Sequence, residues 1–474
     1  MDTQNYPQII QGGMGIAVSN WNLAKQVSLA GQLGVVSGTA IDSVIARKLQ
    51  LGDKNGEIRR ILRNFPIPNL AQGFIKRYFV EGGIDSEKPF KLLPKISLEE
   101  YSVNWENLIV SNYVEVALAK ENHSKPVGIN LLEKIQMATL PSIYGAMLAG
   151  VDYILMGAGI PREIPSIVKN LWCGYEARIN IELIDQSKQE NFLDPKKYGI
   201  IPANMFPQKT RPKFLAIISS EVLASYLERD LETGPDGYVV ENFHAGGHNA
   251  PPRGKITFAE NGEPIYGPRD VANFEKIKSL GKPFWIAGGY ASKEKLLEAK
   301  ELGAKGIQLG TIFALSLDSG LDANTRSDIL NKLKNNNLEV YTDAYASPTG
   351  FPIKVALLSG TQSDLKIRSE RTRLCDAGYL RMPFQNQNAE IRYRCPSEPI
   401  PTFLKKGGAI EETNKKACLC NALLANIGLA QHRLDSYIEE KFVTLGSDLS
   451  GPKSMITKFP SGWSAAEAIS EIII

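Results

Sequence analysis

Short apolar runs, each ended by glycine or a small polar residue, recur along the chain up to residue 311, and most are followed by a segment with helical periodicity. There are eight of them, at residues 9–13, 33–39, 126–131, 151–157, 213–219, 237–243, 283–289 and 304–311. Near-continuous apolar runs separated by helices are typical of strands that are buried on both faces of a parallel sheet. The pattern therefore predicts an α/β fold with eight parallel strands.

Eight strands within about 310 residues fit a (β/α)8 barrel, the TIM barrel, which commonly takes about 250 residues plus insertions. A doubly wound open sheet is the alternative. It is disfavoured because the first run is followed by Gly-Gly-Met-Gly-Ile-Ala at residues 12–17, which lacks the G-x-G-x-x-G spacing of a dinucleotide-binding turn.

Two further segments depart from the barrel pattern. Residues of about 50–105, after the second strand, form an insertion that we expect to be either a surface subdomain or a lid over the barrel mouth. The polar stretch 186–212 predicts a long loop between strands four and five. The strand pattern stops near residue 325, so the chain divides into a predicted barrel, 1–325, and a smaller C-terminal extension, 326–474.

Composition narrows the class of protein. The formal net charge of +3 is small and its basic residues are dispersed, so no nucleic-acid partner is expected. The N-terminus lacks the basic start and apolar core of a signal peptide. The sequence contains no run of about 18 apolar residues, so no membrane span is expected. Without a secretory signal, the five cysteines are expected to be thiols or metal ligands in a reducing compartment. We expect a cytoplasmic protein.

The sixth strand ends in Asn-Phe-His-Ala-Gly-Gly-His, residues 242–248. Histidine exchanges protons near neutral pH, so His248 is the candidate catalytic base, while the role of His244 stays open. The glycines before it, including Gly247, let the backbone approach a flat ligand. The alternative is a loop histidine that only ends a strand.

Glycine turns also follow the last two strands. Gly288 and Gly289 end the seventh, and Gly310 and Thr311 end the eighth. The loops after strands seven and eight of a (β/α)8 barrel frequently form a phosphate site, so these residues are candidates to hold a cofactor phosphate. Tight turns without a ligand are the alternative.

A flat cofactor ring needs small and polar neighbours. The first strand ends in such a group, and Asn130 at the end of the third strand offers an amide donor and acceptor to a heterocycle edge. The candidate ring-binding residues are therefore Gln11, Gly12, Gly13, Met14 and Asn130.

Together these motifs resemble the nitronate monooxygenase family, formerly the 2-nitropropane dioxygenases, which are FMN-dependent barrels that also include flavin enoyl-thioester reductases. The matching segments are 7–14 (Pro-Gln-Ile-Ile-Gln-Gly-Gly-Met), 128–130 (Gly-Ile-Asn), 245–248 (Ala-Gly-Gly-His), 287–289 (Ala-Gly-Gly) and 308–311 (Gln-Leu-Gly-Thr). Residues 340–342 and 347–352 also resemble the family segment that returns across the barrel mouth. The resemblance implies FMN as cofactor, the residue matching His248 as catalytic base, and the two glycine turns as the holders of the FMN phosphate.

Two activities stay open. The resemblance implies a nitronate monooxygenase, which oxidises an alkyl nitronate with O2 to a carbonyl compound and nitrite. The alternative is an NAD(P)H-dependent enoyl-thioester reductase of fatty acid or polyketide biosynthesis. The lack of a nicotinamide fingerprint favours the first, whereas Arg253, in the stiff segment 249–254 where the family has a short polar-glycine step, favours the second.

Partners follow from this resemblance. We expect a small-molecule substrate with O2 or NAD(P)H as co-substrate. A homo-oligomer is possible, and the sequence does not decide the oligomeric state. A barrel that keeps flavin without catalysis is disfavoured, because His248 and both glycine turns are intact.

Four cysteines lie in the C-terminal extension. Cys375, Cys395, Cys418 and Cys420 are candidate ligands of zinc or of an iron–sulfur cluster, since four thiolates form the usual ligand set of both. The alternative is buried thiols that pack a small domain. Cys173 stands apart and is expected to be structural.

Overall fold

The computed structural model describes residues 6–85, 87–199, 206–208, 210–229, 234–433 and 435–473. The strands are β1 (Ile9–Gln11), β2 (Gly34–Ser37), β3 (Val127–Leu132), β4 (Tyr153–Gly157), β5 (Ala177–Glu182), β6 (Lys188–Leu193), β7 (Lys213–Ile218), β8 (Gly237–Glu241), β9 (Phe284–Ala287), β10 (Gly306–Leu309), β11 (Val340–Asp343), β12 (Ile353–Ala356), β13 (Met382–Gln385) and β14 (Ile391–Arg394).

The α-helices are α1 (Trp21–Leu29), α2 (Ile41–Gln50), α3 (Glu57–Leu62), α4 (Pro68–Tyr78), α5 (Val103–Lys120), α6 (Thr139–Leu148), α7 (Ile164–Trp172), α8 (Glu221–Leu227), α9 (Phe274–Ser279), α10 (Lys293–Glu301), α11 (Thr311–Ala314), α12 (Ala323–Lys334), α13 (Leu365–Glu370), α14 (Ile400–Lys405), α15 (Leu419–Ala425), α16 (Ser450–Lys458) and α17 (Ala465–Ile472). No helix of the described residues is both long enough and apolar enough to span a membrane.

Eight parallel strands form one sheet in the order β1-β10-β9-β8-β7-β4-β3-β2. The sheet closes on itself through Leu33, whose N–H donates to the Ile9 carbonyl at 3.1 Å and whose carbonyl accepts from the Gln11 N–H at 3.0 Å. The predicted (β/α)8 barrel is therefore confirmed, and each of the eight apolar runs contains one of its strands.

The strands are apolar on both faces because each face meets a different core. Inside the barrel, side chains from alternate positions form a small buried cluster of Ile10, Leu33, Val35, Tyr153, Leu155, Leu215, Val239, Trp285 and Ala287. The other face of each strand packs against the helices in a much larger cluster. Burial on both faces explains why the strands read as continuous apolar runs rather than as alternating ones.

The insertion after β2 is helical and lies beside the barrel. α5 packs between α1 and α6 in the helix layer, so the additional helices are α2, α3 and α4. The segment that follows α4 is fixed by the C-terminal extension, because Gln431 donates to the Phe90 carbonyl at 3.0 Å and Arg381 donates to the Ile96 carbonyl at 2.7 Å. Among the described residues of 50–105, none lines the two clefts at the barrel mouth, which favours the surface subdomain over the lid.

The polar stretch 186–212 contains a β-strand as well as loop. Its first part, β6, pairs antiparallel with β5, so the loop prediction was wrong there. β5 alternates buried and exposed positions, which is typical of a hairpin with one face on the protein. Residues 200–205 and 209 of this stretch lie outside the described residues.

The C-terminal extension shares the main core with the barrel. α17 packs against α1, α10 and α11, while α16 packs against α11 and α12. A single large hydrophobic cluster contains residues of both parts, from Ile9 in β1 to Ile472 in α17. The predicted domain boundary at residue 325 therefore stays a prediction. In the structure, the residues before and after it pack into the same hydrophobic core.

Gly145 of α6 allows a close approach of two helices in the layer around the barrel. A Cβ there would overlap the carbonyl oxygen of Ile109 in α5, which is backbone and cannot rotate away. Overpacking costs about 1–3 kcal/mol, and the upper part of that range, about 2–3 kcal/mol, applies because the overlap is with backbone; alanine returns about 1 kcal/mol as the better helix former. We therefore expect Gly145→Ala to lower the free energy of unfolding by about 1–2 kcal/mol in urea titrations.

The matched control is Gly267→Ala, because a Cβ at Gly267 meets nothing within 4 Å and its φ of −140° is open to any residue. Equal stability of the two variants would contradict the close packing of α5 on α6.

Candidate active site

Two adjoining clefts open at the carboxyl ends of the barrel strands. The first, the glycine cleft, encloses ≈ 860 Å³ including the solvent at its mouth. It is lined by the residues that follow β1, β8, β9 and β10, and by a segment near the C-terminus: Gly12, Gly13, Met14, Gly15, Glu241, His244, Ala245, Gly246, Gly247, Ala287, Gly288, Gly289, Tyr290, Ala291, Gln308, Leu309, Gly310, Thr311, Ile312, Ala314, Thr444, Leu445, Gly446, Asp448 and Pro452.

The second, the apolar cleft, encloses ≈ 1060 Å³ on the other side of Glu241, which lines both. Its lining combines aliphatic and aromatic side chains with several polar groups: Ala158, Gly159, Ile160, Ile217, Ile218, Ser219, Leu223, Glu241, Asn242, Phe243, His248, Asn249, Ala250, Pro251, Arg253, Tyr266, Asp270 and Phe351. An apolar wall with few convergent polar groups is typical of a small-molecule site.

Most of the predicted cofactor residues meet in the glycine cleft. Gly12, Gly13, Met14, Gly247, Gly288, Gly289, Gly310 and Thr311 all line it. The turn after β9 requires glycine, because Gly288 and Gly289 have φ of 93° and 82°. A Cβ at Gly289 would also lie 2.9 Å from a carboxylate oxygen of Asp448.

Two of the predicted cofactor residues, Asn130 and Gln11, line neither cleft. Gln11 lies at the end of β1. Its side chain is fully buried and joins the ends of β1 and β2, donating to Ser19 Oγ at 2.8 Å and accepting from the Val35 N–H at 3.0 Å. Every polar atom of the side chain is used in this clamp. Its sequence position at a strand end did not distinguish a clamp from a ligand contact.

Asn130 lies directly beneath the turn that follows β1. A Cβ at Gly13 would overlap the Asn130 side chain, so only glycine lets the two pack together. Asn130 Oδ1 is buried and has no hydrogen-bond partner among the described residues, and the same holds for Gln308 Oε1 at the end of β10. Gln308 lines the glycine cleft, whereas Asn130 lies behind Gly13, which lines it. Unsatisfied amide oxygens at these two positions favour a ligand with N–H donors.

His248 is held from both sides of the barrel mouth. Its backbone forms an antiparallel bridge with Ile353, which confirms that the segment after residue 340 returns to this point. Its Nε2 lies 2.7 Å from Ser347 Oγ, which in turn lies 2.8 Å from Thr349 Oγ1. Burial lowers the pKa of His248 to about 4, so the imidazole is neutral at physiological pH.

His244 lies in the glycine cleft rather than in the core. Its Nδ1 is 3.1 Å from Ser447 Oγ, and burial lowers its pKa. Lys354, beside it, lowers that pKa further, whereas Asp448 raises it. The two histidines of the motif therefore face different clefts.

Glu241 was missed by the sequence analysis. It ends β8, and Gln308 Nε2 donates to its Oε1 at 3.3 Å. Burial raises the pKa of Glu241 to about 7. The available signal was its position as the last strand residue before the histidine motif. It was overlooked because it was counted as part of the apolar strand.

A C-terminal segment closes the outer wall of the glycine cleft. The Gly446 N–H donates to Thr311 Oγ1 at 2.8 Å, and the Ser447 N–H donates to the His244 carbonyl at 3.1 Å. A Cβ at Gly446 would lie 2.9 Å from that same carbonyl, so glycine is needed for the approach. No local sequence pattern indicated that a segment so distant in the chain would contact the cleft.

Arg253 lies at the exposed rim of the apolar cleft. Its N–H donates to Asp270 Oδ1 at 2.7 Å and its guanidinium donates to the Ser219 carbonyl at 3.0 Å. These bonds orient the cation toward the cleft opening.

The four C-terminal cysteines line one small cavity of ≈ 280 Å³ together with Pro348 and Glu398. As they stand, no group of three or more histidine, cysteine, aspartate or glutamate side chains in the described part of the chain is arranged to hold a metal ion. The prediction that Cys375, Cys395, Cys418 and Cys420 bind zinc or an iron–sulfur cluster is therefore not supported, and the alternative of buried thiols that pack this part of the protein is favoured. Cys173 is exposed and distant from them.

Acid should destabilise the protein through His248. Its folded-state pKa of about 4 lies below the unfolded value of about 6.5, so the unfolded chain binds the proton more tightly and stability falls as the pH drops through this window. Between pH 7 and pH 5 this one residue should remove about 2 kcal/mol from the free energy of unfolding.

The measurement is urea unfolding of the wild type and of His248→Gln at both pH values. Buried acids such as Asp42, with its pKa raised to about 6, act in the opposite direction in both proteins and cancel in the comparison. An equal loss of stability in the two proteins would show that His248 is not held neutral by burial.

Solved structures similar to the chain have low sequence identity to it. FabK from Thermotoga maritima is 16% identical with a TM-score of 0.48, over 99% of this chain and 91% of that one. A nitroalkane oxidase from Streptomyces ansochromogenes is 13% identical with a TM-score of 0.46, over 99% of this chain and 96% of that one. The enoyl reductase domain of MlnA from Bacillus amyloliquefaciens is 11% identical with a TM-score of 0.36, over 75% of this chain and 64% of that one. No protein-family model and no curated protein matches the chain.

Proposed function

We propose that the protein is an FMN-dependent oxidoreductase that acts on a small molecule. The observation that carries the proposal is the pair of adjoining clefts, one floored by glycine turns and the other apolar with a neutral buried histidine at its end. A flavin enzyme needs this division, because the cofactor and the substrate must lie side by side in a site that excludes water.

The residues of the glycine cleft fit FMN. Gln308 Oε1 in the cleft, and Asn130 Oδ1 behind Gly13, would offer two buried, unsatisfied acceptors to the polar edge of the ring, and Met14 would offer a polarisable apolar contact. The turns at Gly288, Gly289 and Gly310 leave space beside the strand ends for the ribityl chain and the phosphate of FMN. FMN, when bound, supplies the redox chemistry that no side chain can.

Asp448 restricts where the phosphate can lie. Its carboxylate borders Gly289 and would repel an anion placed against it, whereas the ribityl hydroxyls of FMN can donate hydrogen bonds to it. The cradle for the phosphate is therefore assigned to the Gly310–Thr311 side of the cleft.

His248 would handle the proton of the reaction. It is neutral, so it can accept a proton from the substrate, and Ser347 with Thr349 gives that proton a hydrogen-bonded path away from the apolar cleft. Glu241, between the two clefts, would hold the substrate end that faces the cofactor. The apolar side chains orient the remainder of the substrate and exclude water.

Oxidation of an alkyl nitronate with O2, giving a carbonyl compound and nitrite, is the first candidate reaction. The neutral His248 in the lining of the apolar cleft suits it as a base. The sequence also has no separate nicotinamide fingerprint, which favours this reaction over one that uses NAD(P)H. A second candidate is the NAD(P)H-dependent reduction of an enoyl thioester. The apolar cleft with the cation Arg253 in its lining favours it, because an acyl chain would pack on the apolar side chains while Arg253 binds an anionic group of the carrier.

Replacement of His248 tests the proposed active site. We expect His248→Gln to retain FMN and to lose turnover by on the order of 10²-fold, since general-base catalysis contributes about that much or more. The control is His123→Gln, because His123 lies after α5 and contacts the Ala119 carbonyl, away from both clefts. Unchanged turnover in His248→Gln would overturn the assigned role.

The two candidate reactions are separated by mixing the purified protein, under anaerobic conditions, with propyl nitronate or with NADPH. Bleaching of the flavin absorption by the nitronate alone supports nitronate oxidation, and bleaching by NADPH alone supports the reductase. A flavin that responds to neither compound would contradict both.

A further inference from the structure

Glu241 is the one residue, within the described part of the chain, that lines both the glycine cleft and the apolar cleft. It ends β8, where its backbone pairs in register with Ala287 of β9. The N–H of the next residue, Asn242, donates to the Ala287 carbonyl at 3.2 Å. The end of a paired strand is a rigid support, so the carboxyl group of Glu241 is held at the border between the two clefts.

The two carboxyl oxygens of Glu241 have different surroundings. Gln308 Nε2 donates to Oε1 at 3.3 Å, whereas Oε2 has no hydrogen-bond partner among the described residues. An amide N–H can only donate, so Oε1 acts as an acceptor. When the carboxyl group is protonated, its proton therefore lies on Oε2, from which it can be donated to a molecule in the clefts.

No cation compensates a negative charge on Glu241. Among the residues that the structure describes, none forms an ion pair with it, and burial is what shifts its pKa. An unpaired carboxylate that is removed from water is costly, so the neutral form is favoured. The pKa of about 7 means that a large share of the molecules carry the protonated acid at neutral pH.

The acidic, histidine and cationic side chains that line the clefts with Glu241 are His244 and Asp448 in the glycine cleft, and His248, Arg253 and Asp270 in the apolar cleft. Burial lowers the pKa of both histidines, so both are neutral above pH 7. Arg253 is held through the Ser219 carbonyl. Behind the linings, Lys354 donates its backbone N–H to the Gly247 carbonyl at 2.9 Å, and burial lowers its pKa to about 8. Lys354 therefore titrates in the same pH range as Glu241.

Both candidate substrates carry an oxygen atom that is conjugated with the reacting carbon. In an alkyl nitronate the two oxygens are bonded to the nitrogen next to that carbon, and they share the negative charge of the anion. In an enoyl thioester the carbonyl oxygen receives the negative charge when a hydride adds to the β-carbon. A protonated carboxyl group can donate a hydrogen bond to either oxygen, whereas a carboxylate would repel it.

We propose that Glu241, as the neutral acid, donates a hydrogen bond from Oε2 to the substrate oxygen that is conjugated with the reacting carbon. The border between the clefts suits this role, because the reacting carbon must lie beside the cofactor while the remainder of the substrate occupies the apolar cleft. A fixed donor in a site that excludes water stabilises such a charge more than water does. This role rests on the proposed function.

The donor acts at different stages of the two candidate reactions. The nitronate oxygens are charged before the reaction, so the donor binds them in the ground state and its loss raises KM. The thioester oxygen gains its charge in the transition state, so loss of the donor lowers kcat. The parameter that changes on replacement of Glu241 therefore also separates the two reactions.

Two replacements of Glu241 distinguish a hydrogen-bond donor from a group that transfers a proton. Glu241→Leu removes the donor, and we expect kcat/KM to fall by on the order of 10²-fold. Glu241→Gln is the matched control, because its amide N–H still donates, and we expect it to lose no more than about tenfold. Both variants should keep the FMN content and the circular dichroism of the wild type.

The pH profile supplies a second readout. In the wild type, kcat/KM should fall as the pH rises from about 6 to about 9, because the carboxylate that forms cannot donate a hydrogen bond. The amide of Glu241→Gln does not ionise, so its profile should lack this decrease. Titration of Lys354 and of the substrate is common to both proteins and cancels in the comparison.

Infrared spectroscopy detects the protonated acid without turnover. At about pH 6 the difference spectrum between the wild type and Glu241→Gln should contain the C=O stretching band of a carboxylic acid, and this band should disappear at about pH 9. Buried acids such as Asp42 are present in both proteins and cancel.

The outcomes separate this role from the proposed function. Wild-type protein without FMN or turnover would contradict both. In an active wild type, the role of Glu241 alone would be refuted by a Glu241→Leu variant of equal activity, by a pH profile that Glu241→Gln shares, or by the absence of the infrared band. A Glu241→Gln variant as slow as Glu241→Leu would show that Glu241 transfers a proton, and would likewise overturn the hydrogen-bond role.

Discussion

Closure of the barrel through Leu33 is the constraint on which the remaining structure depends. The two hydrogen bonds between Leu33 and the ends of β1 join the first and second strands, and Gln11 reinforces the junction from inside. Because every strand of the closed sheet is parallel, all eight carboxyl ends meet at one mouth. The glycine turns after β1, β9 and β10 and the histidine motif after β8 are thereby brought into one place.

The mouth is completed by chain that lies far away in sequence. The segment around Ser347 pairs with the backbone at His248, and the segment around Gly446 contacts Thr311 and His244. These two returns convert an open barrel end into two separate clefts. They also explain why the C-terminal extension shares the hydrophobic core of the barrel, since its helices α16 and α17 anchor the second return against α11.

The fold could be predicted from the sequence because burial on both faces leaves a strong apolar signal at each strand. The glycine turns could also be predicted, because few residues other than glycine adopt the backbone angles of Gly288 and Gly289. Glycine at a strand end is therefore itself a signal. The side-chain roles were harder. Gln11 looked like a ligand contact because clamps and ligand contacts use the same polar atoms at strand ends.

Glu241 and Gly446 show the opposite failure. Glu241 is a carboxyl at the end of an apolar strand, and only the position of the second cleft reveals that it lies between two sites. Gly446 approaches the mouth through tertiary packing, for which a local pattern carries no signal. The hairpin of β5 and β6 was missed because its outer strand is largely exposed and polar.

The most direct test of the central claim, that the glycine cleft holds FMN, is the amount of flavin that the purified protein releases on acid denaturation. The proposed function predicts about one FMN per chain, and a Gly13→Ala variant that releases almost none, because its Cβ would displace Asn130. A folded wild-type protein that contains no flavin and binds none when FMN is added would contradict the account.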